Sequence, residues 1–319
     1  MSTKKNHKSK TVNFYHIEGK EENISKIDNL LKDTYKRIKN HKTKEIETID
    51  IQGNKYYINT MSKAYVEDTG QKSAWLINIS KLDPSMQIEI GDLNKEIEKR
   101  NEPLPISDNQ GSVVDTQFLY DPQNHVCAFA RTPGGMNKAL LKTFLVRFCK
   151  VRGITLAVIP DEVAIESLDK LKETTSITYS IAKVNNLPNL ENAKRSELQD
   201  IDYANEIGAN KMTMILQAED KMSLKGVINK AKILFANSEQ LGIKKLKLEG
   251  TDNDGVFEPI DLLQHKVDYH GSVEFVNLIT IRNMFDFLEV AYHSQYKYFN
   301  RIFWGNREMN DSERGQDMA

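Results

Sequence analysis

Apolar positions along this chain change period several times, and each change predicts an element. Thr11–Ile17 alternates apolar and polar residues, the period of a half-buried strand. From Ile24 to Ile38 the spacing becomes helical, with Ile24, Ile27, Leu30, Leu31, Tyr35 and Ile38 on one face. A β-meander follows. Glu47–Ile51 and Lys55–Met61 flank Gln52-Gly53-Asn54, a short hairpin loop in which glycine supplies a positive φ. Ala74–Ile79 reads as a strand, with Trp75 and Leu76 as core or interface residues. Leu93–Ile97 reads as a short helix, and Asn101–Ser112, with prolines and a glycine, as an exposed loop. Val113–Tyr120 and His125–Arg131 form a second hairpin around Asp121-Pro122-Gln123-Asn124.

The second half alternates more regularly. Strand Val126–Ala130 leads through Arg131-Thr132-Pro133-Gly134-Gly135 into a helix at Met136–Cys149, then a strand at Ile154–Ile159. Asp161, after Pro160, is a natural N-cap for a helix reaching Leu171. Strands are predicted at Ser176–Ala182, Lys211–Leu216 and Lys244–Leu248, with helices at Leu190–Ile207 and Ser223–Phe235. A long helix rich in aromatics closes the pattern from about Val276 to Phe303. The expected class is α+β, with mixed or antiparallel sheets, packed helices and a long C-terminal helix. Four regions are expected: a disordered basic arm (1–10), a globular α+β domain (11–215), a region of basic helix, strands and C-terminal aromatic helix that is a candidate for dimerisation (216–304), and a disordered tail (305–319). No repeat at a fixed period is visible.

Composition narrows the class without naming a function. The chain has 319 residues, enough for one large core or two modest ones. Its longest apolar stretches are far below a membrane span, and its basic N-terminus lacks the apolar core of a signal peptide. Cys127 and Cys149 sit in apolar periodic segments and read as buried, reduced thiols. A cytoplasmic protein is expected.

Charge adds more. The formal net charge is −1, yet no carboxylate occurs between Asp121 and Asp161, where Arg131, Lys138, Lys142, Arg147, Lys150 and Arg152 lie. A local positive field of this kind draws a polyanion whatever the net charge. The two glycines before the helix would let backbone N–H groups approach an anion, aided by the helix dipole. Arg131 could grip a phosphate, and Lys138 and Lys142 share a helix face. A second basic cluster, Lys221, Lys225, Lys230 and Lys232, lies on or just before the Ser223–Phe235 helix, and Lys244, Lys245 and Lys247 follow. Each cluster also has a plain reading as a solvated helix face.

Catalytic patterns are sparse. The glycine loop has neither P-loop nor dinucleotide-binding spacing, and no cofactor is expected. The histidines show no metal-ligand spacing. Asp252, Asp254, Glu258 and Asp261 near Lys247-Leu248-Glu249 are the only acidic group that evokes a metal-dependent nuclease, and the order of Lys and Glu is reversed from the usual one.

Several segments together carry a family likeness. They are Asn13-Phe14-Tyr15 before a helix, the Gly53 hairpin with Tyr56-Tyr57-Ile58, and Phe118-Leu119-Tyr120. After these come Ala128-Phe129-Ala130-Arg131-Thr132, Thr143-Phe144-Leu145, the basic helix and the strand after it, and Ala291-Tyr292 in the last helix. In these the chain resembles the RexA-like phage exclusion proteins, with extra residues around Pro103 and Pro105 and a different tail. The resemblance implies a non-enzymatic, homodimeric DNA-binding protein, and contacts from lysine and arginine to phosphates would make its binding of double-stranded DNA largely sequence-independent. It implies a sensor of phage protein–DNA complexes that signals to a RexB-like membrane partner, with DNA contacts among the basic residues of Lys221–Lys232. A metal-dependent nuclease of a phage-defence system, and a protein-interaction subunit that does not touch DNA, are the rival expectations.

Overall fold

In a computed structural model of the chain, residues 5–65, 73–85, 89–99, 101–105, 107, 110–181, 199–251 and 259–303 are described. In chain order the elements are β1 Asn6–Glu18, α1 Glu21–Lys39, β2 Ile49–Ile51, β3 Asn54–Tyr65, β4 Ser73–Asp83, β5 Glu89–Gly91, β6 Asn101–Pro103, β7 Ser112–Asp121, β8 Val126–Ala130, α2 Lys138–Phe148, β9 Thr155–Val158, α3 Glu162–Lys170, β10 Glu173–Ile181, α4 Gln199–Glu206, β11 Met212–Gln217, α5 Leu224–Ala236, α6 Ser238–Leu241, β12 Ile243–Thr251, β13 Ile260–Asp261, β14 Asp268–Phe275 and α7 Ile281–Phe303. The class is α+β, with antiparallel sheets and a long C-terminal helix. Among the described residues no helix is long and apolar enough to cross a membrane.

The chain forms two compact units. The first comprises residues 1–13, 20–154 and 269–319, and its strand order is β14-β1-β8-β7-β4-β3-β2. The β2–β3 hairpin turns on Gln52 and Gly53, both at positive φ, as a tight two-residue loop requires. β7 and β8 lie inside the sheet, and Thr116–Asp121 and Val126–Ala130 are buried on both faces. Successive side chains of β7 therefore meet different layers. Tyr120 meets α1, its hydroxyl donating to Asp28 Oδ1 at 2.7 Å. Asp121 meets α7, where the Tyr292 hydroxyl donates to its Oδ2 at 2.5 Å. Asn124 in the hairpin loop also donates to Asp121, at 2.9 Å, as does the Gln123 N–H at 2.8 Å. α7 begins at Ile281, later than the apolar pattern suggests, because Thr280 and Asn283 cap it reciprocally.

The second unit comprises residues 14–19 and 155–268. The end of β1 pairs antiparallel with β9, Tyr15 opposite Val158 and Glu18 opposite Thr155. A second antiparallel sheet has the order β11-β10-β12-β13. α5 covers its Tyr179 face, where Ile177, Leu246 and Leu248 pack with Val227, Ala231, Leu234 and Phe235. Asp161 caps α3 as its position predicts, accepting from the Ala164 N–H at 2.8 Å.

Several expectations change. Asn6–Lys10, expected in a disordered arm, belong to β1, where Lys5 pairs with Glu274 at 2.8 Å and Asn6 donates to the Val276 carbonyl. The hydrogen-bonding partners lie some 270 residues away in sequence, out of reach of a local pattern. A boundary at residue 215 falls inside β11, and both of its sides belong to the second unit. Asn101–Pro103, expected in a loop, pairs with Glu89–Gly91, and Leu93–Ile97 yields only a 3-10 turn at Ile97–Lys99. Met284, Phe285, Leu288, Ala291, Tyr292 and Phe299 of α7 are all buried, and the helix packs on β7 and β8. The aromatic face considered for dimerisation is thus part of the first unit's own core. Most of the predicted Leu190–Ile207 helix before Gln199, and the tail 305–319, lie outside the described residues. Cys127 and Cys149 are buried free thiols, and burial pushes the Cys149 thiol up to about 12.

Replacing Tyr292 by Phe removes a donor from a carboxylate that stays buried. It is expected to cost about 1–3 kcal/mol in urea unfolding. Burial, reinforced by the nearby Asp121 and opposed by the Tyr120 hydrogen bond, raises the Asp28 carboxyl above its usual range. A group with a raised folded-state pKa contributes stability that is present below its unfolded value, about 4, and is lost as pH rises through the folded value. Asp28→Asn keeps an oxygen for Tyr120 and has no charge to bury. Its urea midpoint is expected to exceed that of the parent at neutral pH and to converge with it below about pH 4.

Candidate nucleic-acid interface

The carboxylate-free stretch lies wholly in the first unit up to residue 154. Its glycine loop does not form the phosphate cradle expected from sequence. α2 starts at Lys138, two residues later than expected, and the Asn137 side chain caps it by accepting from the Leu140 N–H at 2.9 Å. The Gly135 N–H donates to the Thr132 carbonyl, and the Met136 N–H donates to Thr116 Oγ1 at 2.9 Å. Thr116 and Tyr120 are four apart on β7 and share a face, so α1 and α2 lie on the same side of the sheet. Gly135 is needed for this close approach: a Cβ there would sit 2.5 Å from Thr116 Oγ1. An internal hydroxyl occupies the place that the sequence assigned to an anion.

Folding divides the six cations of this stretch. Arg147 donates from Nη1 to the Asp50 carbonyl, and Lys150 pairs with Glu47 at 3.2 Å; both contacts bind the end of α2 to the β2 region. Lys150 itself has φ +52°, where the chain reverses out of the helix. Lys138 and Lys142 are half-buried on α2. No acidic residue lies in the first turn of α2, so the Lys138 charge adds to the positive end of the helix dipole. Arg131, at the end of β8, and Arg152, after α2, are exposed and make no ion pair among the described residues. The Arg152 carbonyl accepts from Asn23 of α1 at 2.6 Å, which ties the chain leaving α2 to the first turn of α1. Lys26 and Lys32 on the outer face of α1 are exposed as well, so this layer presents cations from both helices.

The second cluster lies in the other unit. Lys221 pairs with Glu173 at 3.5 Å. Lys230 sits in the fold: its Nζ is 2.8 Å from Asp200 Oδ1 and 5.3 Å from the Tyr179 ring centroid. Its side chain is only 16 % exposed, against 20 % for Asp200. That environment holds α5 to α4 and β10 and does not present the ammonium to a polyanion. Lys225 and Lys232 are exposed and make no ion pair among the described residues.

Among the described residues no group of three or more His, Cys, Asp or Glu side chains is placed to hold a metal; Asp252, Asp254 and Glu258 lie outside those residues. A groove of about 820 Å³ between β14 and α7 is lined by Tyr269, Val276, Leu278, Phe287 and Val290, with Lys5 already paired to Glu274 at its rim. Its apolar walls do not suit a phosphate chain. The residues that sequence reasoning missed are Thr116, Asn23 and Asp28, which position the basic layer. Each acts on a partner remote in sequence, and no local pattern marks them. No known protein family, curated protein or solved structure matches this chain.

The contrast within α5 is measurable. Lys230→Ala leaves Asp200 in a half-buried place without its partner and is expected to cost about 1–3 kcal/mol in urea unfolding. Lys232→Ala is expected to stay within about 0.5 kcal/mol of the parent.

Proposed function

We propose that the protein is a non-enzymatic, largely sequence-independent DNA-binding protein that grips phosphates through the α1/α2 layer of its first unit. The observation that carries this reading is the pair of exposed guanidinium groups, Arg131 and Arg152, bracketing a helix in a stretch without a carboxylate. Phosphate contacts set register and affinity but read no bases, and an interface built on Lys and Arg is suited to them. Lys225 and Lys232 on the second unit supply further exposed cations. A role in phage exclusion, with homodimerisation, recognition of phage protein–DNA complexes and a RexB-like membrane partner, is supported by the family resemblance alone.

Fluorescence anisotropy of the full chain with an unrelated DNA duplex tests the reading. Affinity is expected to fall steeply as salt rises and to be indifferent to sequence. The double variant Arg131→Ala/Arg152→Ala is expected to bind more weakly and to lower the slope of log K against log salt by about 2. No binding at low salt, or an unchanged slope in the double variant, rejects this interface. DNA cleavage with Mg²⁺ or Mn²⁺ would instead favour the nuclease alternative.

A further inference from the structure

Edge strands of soluble proteins are ordinarily guarded by charge, proline, a bulge or a covering element, because their open N–H and C=O groups template further pairing. Among the described residues β11 stands at the edge of the second unit's sheet, and it carries neither charge nor proline. Its sequence is Met212-Thr-Met-Ile-Leu-Gln217, and its register with β10 is unbroken from Met212 to Gln217. Ile215 is 56 % exposed and Leu216 is 42 % exposed, one on each face of the strand. Tyr203 in α4 and Ile207 just after it, which precede this strand, are exposed too.

The hydrogen-bond phase of the open edge follows from the register. The Ala218 N–H donates to the Thr175 carbonyl at 3.0 Å, in line with the pairing of Gln217 with Ser176. In an antiparallel ladder, alternate residues bond to one neighbour. Met212, Met214 and Leu216 therefore bond to β10, and the backbone groups of Thr213, Ile215 and Gln217 point to the open side.

A two-fold axis through Ile215 matches those groups to themselves. Ile215 meets Ile215 of a second copy, and Thr213 meets Gln217, so every outward donor finds an outward acceptor. The same axis brings Met214 opposite Leu216. It also sets Lys211 opposite Glu219 at both ends, and both residues are exposed. Opposite charges flank an uncharged strand at equal distances from its centre, an arrangement that is complementary only to itself read backwards.

We propose that β11 is a self-association edge, and that two copies of this chain pair antiparallel through Met212–Gln217 about Ile215, with Lys211 of each copy opposite Glu219 of the other. The contact uses no cation of the DNA-binding layer, so it stands or falls independently of DNA binding.

Sedimentation velocity of the full chain over a range of concentrations, without DNA, is the test. A concentration-dependent dimer is expected. Ile215→Lys, which sets two ammonium groups against each other on the axis, is expected to raise the dimer dissociation constant about tenfold or more. Lys211→Glu is expected to weaken the dimer, and adding Glu219→Lys in the same chain to restore it. Far-UV circular dichroism and the thermal midpoint of each variant identify any that fail to fold, and the charge reversal with its rescue tests the register without altering the apolar strand. A chain that remains monomeric at all concentrations overturns the proposal. So does a dimer that tolerates Ile215→Lys, or one for which the double reversal does not recover the loss caused by Lys211→Glu.

Discussion

Neighbouring residues of a strand point in opposite directions, and in β7 this places two hydrogen-bonding side chains where each must find a helix. Tyr120 bonds to Asp28 on α1, and Asp121 accepts from Tyr292 on α7. Burial and the adjacent carboxylates keep both tyrosine hydroxyls protonated, their ionisation pushed well above its ordinary range. A buried polar group without its partner costs more than the bond contributes when made. The two bonds therefore select one placement of α1 and one of α7 from the many that apolar packing alone would accept. The order of the α1/α2 layer descends from this choice, since Asn23 on α1 holds the carbonyl of Arg152 and Thr116 on β7 holds the loop before α2.

Local charge in the sequence is not the charge the fold presents. Six cations occur without an intervening carboxylate, yet Glu47 and the Asp50 carbonyl, far back in the chain, bind Lys150 and Arg147. Lys230 likewise serves the interior of the second unit. What remains outward is a smaller set, anchored by Arg131 and Arg152. A screened, exposed guanidinium contributes little to stability, so residues of this kind are available for a ligand at small structural cost.

The two helices richest in aromatic or basic residues have opposite fates. α7 spends its aromatic face on β7 and β8. α5 buries Val227, Ala231 and Leu234 against its own sheet. Part of the apolar surface left exposed lies at a sheet edge, on β11, where Ile215 and Leu216 are outward on opposite faces.

Sequence by itself determined the elements whose causes are local. These include the helical stripe of α1, the hairpin turn at Gly53, the Asp161 cap, the β7–β8 hairpin around Asp121-Pro122-Gln123-Asn124 and the α+β class, because periodicity, capping and turn chemistry act over a few residues. Even there, Thr280 with Asn283 and Asn137 with Leu140 moved the starts of α7 and α2, since side-chain caps compete with apolar spacing at helix ends. Tertiary structure alone decided the pairing of Asn6–Lys10, the division into two units, the burial of Lys230, the loss of the glycine-loop cradle to Thr116 and the open edge of β11. Each of these depends on which groups meet across long separations in the chain, and hydrogen-bond satisfaction in a buried interior, not local preference, settles which meetings occur.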